Sequence, residues 1–181
     1  MMDWVALSAA MGFTSDYVLQ KHLNLSKRPI TVFFSLLSSV VLIAAFDNPL
    51  QIAKGCIFFQ LLILAAYIDL KTLQIPNLIV FLVAVCGLID PHPLNSLQGA
   101  AMMFLILLAD FLISGAIGGG DVKLLTACGF VLGIYGACQA GFLSMAISCA
   151  YTLAHHKTLK VKQPLGPFIC IGCGIAYILS N

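Results

Sequence analysis

Phe58-Phe59-Gln60-Leu61-Leu62-Ile63-Leu64-Ala65-Ala66-Tyr67-Ile68 runs without a charge and stops at Asp69-Leu70-Lys71. Counted from Ile52, this run approaches the roughly 20 apolar residues that a helix needs to cross a bilayer. A chain in lipid must satisfy its own backbone hydrogen bonds, so the run predicts a transmembrane helix with an acid at its end.

The rest of the chain repeats the pattern. Of its 181 residues, 61% are hydrophobic and 9% charged, and the mean hydropathy is +1.03. These values exclude an ordinary soluble domain of this length. Apolar runs near residues 3–19, 29–46, 52–68, 77–90, 97–116, 122–137, 139–154 and 165–180 predict an all-α, polytopic transmembrane helix bundle of six to eight spans. All seven prolines lie at or between the ends of these runs, where a missing backbone donor costs little. A connection is expected around Gly136 to Gly141. Residues 1–50 contribute only hydrophobic segments, whereas residues 51–181 carry everything of chemical interest. The first run is the weakest because it contains Ser15 and Asp16, and interfacial water is expected to solvate Asp16.

Lys21, Lys27, Arg28, Lys71, Lys123, Lys157, Lys160 and Lys162 fall in alternate connections, and only Lys54 lies on the opposite side. Basic residues accumulate in cytoplasmic loops, so this distribution predicts a multi-pass protein of the cytoplasmic membrane with both ends outside. A net charge of +2, dispersed among short loops, argues against a nucleic-acid partner and leaves membrane lipid as the expected surroundings. The seven cysteines are scattered through apolar runs and give no disulfide framework. Cys170 and Cys173 form a lone C-x-x-C pair, so no metal or other cofactor is expected. A serine protease built from Ser114, Gly115 and His155 or His156 lacks a supporting pattern. A His-Glu-x-x-His zinc site is excluded because the chain has no glutamate.

All seven acids are aspartates. Asp3, Asp47 and Asp90 fall at outer boundaries and need no explanation. Asp110 lies inside the fifth run, where an acid is costly. It is expected to pair with Gln60 or Tyr67, or to carry protons or cations together with Asp121 in a small transporter. Asp69 ends the third run. Asp121 follows Gly118-Gly119-Gly120 and precedes Val122-Lys123, on the same side as Asp69. Two carboxylates that face each other share a proton: one then deprotonates a water while the other protonates a carbonyl oxygen. The glycines expose backbone to which an extended peptide can hydrogen-bond.

Three stretches carry a resemblance to the type IV prepilin peptidases, which are GxGD membrane aspartic proteases. Asp69-Leu70-Lys71-Thr72-Leu73-Gln74-Ile75-Pro76-Asn77 is similar to the family's first catalytic motif. Gly118-Gly119-Gly120-Asp121-Val122-Lys123 matches its G-x-G-D-x-K core, and Pro164-Leu165-Gly166-Pro167-Phe168 resembles its Pro-Phe-Gly-Pro-Phe segment, with Leu165 in place of the first Phe. The resemblance implies that Asp69 and Asp121 are the catalytic pair and that Gly118, Gly119, Gly120 and Lys123 bind substrate. It also implies a prepilin or pseudopilin substrate of a type IV pilus or protein secretion system in a prokaryote, cleaved at the cytoplasmic membrane face. The connection from Gln20 to Arg28 is too short for the cytosolic insertion of bifunctional members, so no N-methyltransferase activity is expected. The oligomeric state is not legible.

Overall fold

In a computed structural model of the chain, residues 2–23, 30–89, 92–113, 118–156 and 164–180 are described. Their regular structure is entirely α-helical: α1 (Met2–Leu23), α2 (Ile30–Ala45), α3 (Pro49–Thr72), α4 (Asn77–Cys86), α5 (Pro93–Ile113), α6 (Gly119–His156) and α7 (Gly166–Leu179). The all-α expectation therefore holds. By length and composition, α3, α5 and the Gly119–Ala154 part of α6 suffice to cross a membrane, while Thr31–Ala45, Asn77–Cys86 and Gly166–Leu179 are shorter apolar helices. Lys27, Arg28, Asp90, Ser114, Gly115, Lys157, Lys160 and Lys162 lie outside the described residues, as do the side chains of Asp3, Lys21, His155 and His156.

Helix starts follow the prolines. Pro49 opens α3, where its missing N–H is no loss, and the Asn48 side chain caps the same turn by accepting the Leu50 N–H at 3.0 Å. Pro93 opens α5, Pro76 precedes α4 and Pro167 lies in the first turn of α7. The C-terminus of α3 is less ordinary. Leu73 stops the helix in the left-handed region at φ 53°, a position usually taken by glycine, and its N–H still bonds the Asp69 carbonyl at 2.9 Å.

The chain forms two compact units, Met1–Leu64 and Ala65–Asn181. In the first, α1 packs on α2. Asp16 is not solvated as the sequence suggested: it is buried and takes the Thr31 hydroxyl on Oδ1. The Gln60 amide donates to Ser15 Oγ at 2.7 Å and to the Met11 carbonyl at 3.4 Å, within the same unit.

In the second unit α6 is the central element and packs on α4, α5 and α7. The expected connection around Gly136 to Gly141 is helical instead. The interruption falls earlier, at Gly133 (φ 71°, ψ −177°), where the Asn95 side chain of α5 accepts the freed Ile134 N–H at 3.0 Å. A polar side chain from the neighbouring helix thus supplies the acceptor that the broken ladder removes. One turn earlier the helices cross closely, and a Cβ on Gly129 would lie 2.8 Å from the Gly99 carbonyl oxygen. Small residues at such crossings let two backbones approach where lipid provides no hydrophobic drive.

Candidate active site

The second unit brings all three motif stretches together. Asp69 occupies the last turn of α3 and is 4% exposed. Its Oδ2 accepts the Gly166 N–H at 2.9 Å, and Gly166 is the first residue of α7, a helix whose N-cap Leu165 offers no side-chain cap. Asp69 thus fills a role that α7's own sequence leaves open, at a helix end that favours negative charge. The approach requires glycine, since a Cβ on Gly166 would lie 2.6 Å from Asp69 Oδ2 and 2.8 Å from its Cβ and Cγ.

Asp121 stands in the first turn of α6. Its backbone N–H bonds the Gly118 carbonyl at 3.0 Å, and its carboxylate takes a hydrogen bond from the Gly118 backbone. The carboxylate thus makes the returning half of a capping box, with aspartate in the position usually held by glutamate and a glycine, which has no side chain to complete the box, at the N-cap. The charges of Asp69 and Asp121 reach each other, and both reach the buried Cys170 thiol of α7. Each carboxylate is therefore held at a helix N-terminus by a glycine N–H, one from a distant segment and one from its own.

The glycine run is not an extended strand. Gly119 and Gly120 are already helical, and the Gly118 carbonyl is engaged by Asp121 and Val122. Gly118 and Gly119 are exposed, and a Cβ on Gly119 would meet nothing within 4 Å. Gly120 faces Ile75 of the first motif, and a Cβ on Gly120 would lie 3.5 Å from the Ile75 Cβ. Lys123 Nζ donates to Asn77 Oδ1 at 3.2 Å and so joins the second motif to the end of the first. Lys71 and Lys123 are both exposed and do not turn inward onto the carboxylates. Asp110, on α5, is partly buried.

Sequence reasoning missed Gly166. The available signal was a glycine between two prolines at the start of an apolar helix with no polar cap, which leaves a backbone donor for a partner elsewhere. Asn77 and Ile75 were likewise quoted as motif letters without a contact to make.

The sequence profile of the type IV leader peptidase family matches residues 56–153, more than half of the chain and inclusive of both aspartates. The chain belongs to the type IV leader peptidase family. It is also similar to the prepilin leader peptidase/N-methyltransferase of Bacillus subtilis (strain 168), at 39% identity over 147 residues, covering 75% of this chain and 59% of that protein. The chain thus spans less than two thirds of this relative's length. No solved structure matches it. The Pro164–Phe168 stretch lies beyond the matched family region, so its link to the site rests on the Gly166 contact with Asp69.

Proposed function

We propose that this chain is a membrane aspartic endopeptidase of the cytoplasmic membrane, which removes the leader from prepilins or pilin-like secretion proteins at the cytoplasmic face. The observation that carries the reading is the hydrogen bond of Asp69 to Gly166 with Asp121 within electrostatic reach of Asp69, each carboxylate standing at a helix N-terminus. In the proposed reaction one carboxylate of the pair is ionised and takes a proton from water. The hydroxide attacks the scissile carbonyl while the other carboxyl protonates its oxygen, and collapse of the tetrahedral intermediate returns a proton to the departing amine. The two helix N-termini and their glycine N–H groups favour the negative charge carried by the pair.

Residues 51–181 would form the catalytic part. The backbone N–H groups of Gly119 and Gly120 would receive the substrate strand, because the first N–H groups of a helix lack partners within it, while Gly118, engaged by Asp121 and Val122, would line its path. Lys123 would hold that turn against Asn77 and line the approach. No N-methyltransferase activity is assigned to this chain, although the Bacillus relative's name includes one. Mass spectrometry of a processed pilin would show an unmethylated N-terminus if this is right.

The transporter reading, with Asp110 and Asp121 as carriers, gives no role to Asp69, a carboxylate within electrostatic reach of Asp121. Membranes containing Asp69→Asn, Asp121→Asn or Asp110→Asn, incubated with a candidate prepilin and read on a gel, separate the two. Loss of about 10³-fold or more at Asp69 and Asp121 is expected, with substantial retention at Asp110. Processing that survives the double Asp69→Asn, Asp121→Asn change would end the proposal.

A further inference from the structure

The first motif contains a turn that the proposed peptidase chemistry does not use. Leu73 leaves α3 with φ 53°, in the left-handed region where a side chain is strained and glycine is not. Leu73 is 61% exposed, so packing does little to hold it there. Two contacts do. The Leu73 N–H bonds the Asp69 carbonyl at 2.9 Å, and the Thr72 hydroxyl reaches across the turn to the Gln74 carbonyl at 3.1 Å. The same hydroxyl also meets the Ile68 carbonyl at 2.9 Å, so one side chain joins the last turn of α3 to the residue beyond the bend. A strained conformation persists only where its surroundings over-determine it, and here Thr72 supplies the second constraint.

What the turn positions lies two residues further on. A Cβ on Gly120 would lie 3.5 Å from the Ile75 Cβ and 3.7 Å from its backbone nitrogen, so Ile75 presses on the first turn of α6 one residue before Asp121. Gly118, Gly119 and Gly120 lead into Asp121 and have no side chains to stiffen that turn. A Cβ on Gly119 would meet nothing within 4 Å. The orientation of Asp121 therefore depends on the contact that Gly120 receives from outside its helix. Asp69 is fixed separately, by the Gly166 N–H of α7. The turn at Leu73 thus stands between the two acids: it begins on the Asp69 carbonyl and delivers Ile75 to Gly120.

We propose that Thr72 is a positioning residue for the Asp69 and Asp121 pair: its hydroxyl holds the left-handed turn at Leu73, which keeps Ile75 against Gly120 and so sets Asp121 relative to Asp69. The inference rests on the peptidase reading for its kinetic consequence, but not for its structural one.

The test uses the full chain in nanodiscs and three variants: Thr72→Val, which keeps the shape of threonine without its hydroxyl, Thr72→Ser, which keeps the hydroxyl, and Thr72→Val combined with Leu73→Gly. Hydrogen–deuterium exchange read by mass spectrometry reports the structural step. In Thr72→Val the amides of residues 121–124 should exchange about tenfold faster than in the parent, the size of one net hydrogen bond, while those of α7 hold. Leader removal from a candidate prepilin reports the kinetic step. Thr72→Val should lower kcat about tenfold at an unchanged KM, because the hydroxyl acts through the turn and not on substrate. Thr72→Ser should stay within about threefold of the parent. Leu73→Gly should return most of the loss, since glycine adopts the left-handed turn without help. If Thr72→Val does not fold, Ile75→Gly removes the Cβ that meets Gly120 and should give the same faster exchange and lower kcat. Unchanged exchange with kcat within about twofold of the parent overturns the assignment. So does a change confined to KM, which marks a substrate contact, or an equal loss in Thr72→Ser. A parent chain that processes no prepilin sinks the peptidase reading, while the exchange result still decides whether Thr72 holds the first turn of α6.

Discussion

Replacing Gly166 by alanine adds a single methyl group against the most buried side chain of the candidate site. The new Cβ would stand 2.8 Å from both Cβ and Cγ of Asp69 and 2.6 Å from its Oδ2. Carbon atoms rest at about 3.5–4.0 Å, so roughly 0.7 Å or more must be gained. Rotation of Asp69 cannot supply it, because the position of a Cβ is fixed by its own backbone. The end of α3 and the start of α7 must therefore separate, and the 2.9 Å bond from Gly166 N–H to Oδ2 stretches to about 3.6 Å, beyond useful length. A hydrogen bond to a charged group contributes about 1.5–3 kcal/mol, or roughly 10- to 150-fold, and a comparable misplacement of a reacting group costs about 10²-fold. The expected result is a fall in prepilin processing of about 10²-fold. The thermal midpoint should drop by about 3–12 °C, since a chain of this length shifts by roughly 2–4 °C per kcal/mol. The assay is a time course of leader removal in proteoliposomes, paired with a melting curve. If Gly166→Ala processes substrate within about threefold of the parent, the Gly166 contact does not place Asp69 and the reasoning is wrong.

Gly119→Ala places its methyl in open space, so the melting curve should not move, and a lower processing rate would report a substrate strand lying on that backbone. Gly133→Ala should lose about 1–2 kcal/mol in unfolding experiments from backbone strain alone, because its φ of 71° is left-handed. Asn95→Ala should cost about 1 kcal/mol by removing the acceptor for Ile134 N–H, and the double change should cost less than the sum, because the new Cβ at position 133 would meet Asn95 Nδ2 at 2.5 Å. Lys123→Ala removes an exposed contact to Asn77 and should change stability by no more than about 0.5 kcal/mol, so any large loss of processing would assign Lys123 to the substrate.

How far the sequence could be read depended on whether the controlling interaction was local. Helix starts at Pro49 and Pro93 were legible because a missing N–H is tolerated only there. The break in α6 was misplaced because glycines at 129, 133, 136 and 141 look alike in one dimension. Asn95 and the closely approaching Gly99 single out Gly133, and both belong to α5. Asp16 was misread for a related reason: its number placed it near a helix end, while Thr31 and its burial come from α2.

By itself the sequence determined an all-helical chain suited to lipid, and it isolated a few acids whose placement needed a reason. Hydropathy and backbone hydrogen bonding are properties of consecutive residues, and a chain in lipid has few alternatives to the helix. Only the tertiary structure decided which groups meet: Asp69 with the first turn of α7, Asp121 with the turn it caps itself, and Asp16 with Thr31. Those meetings depend on helices approaching at small residues and on polar atoms finding partners across helices, and neither is written in the spacing of residues along one chain.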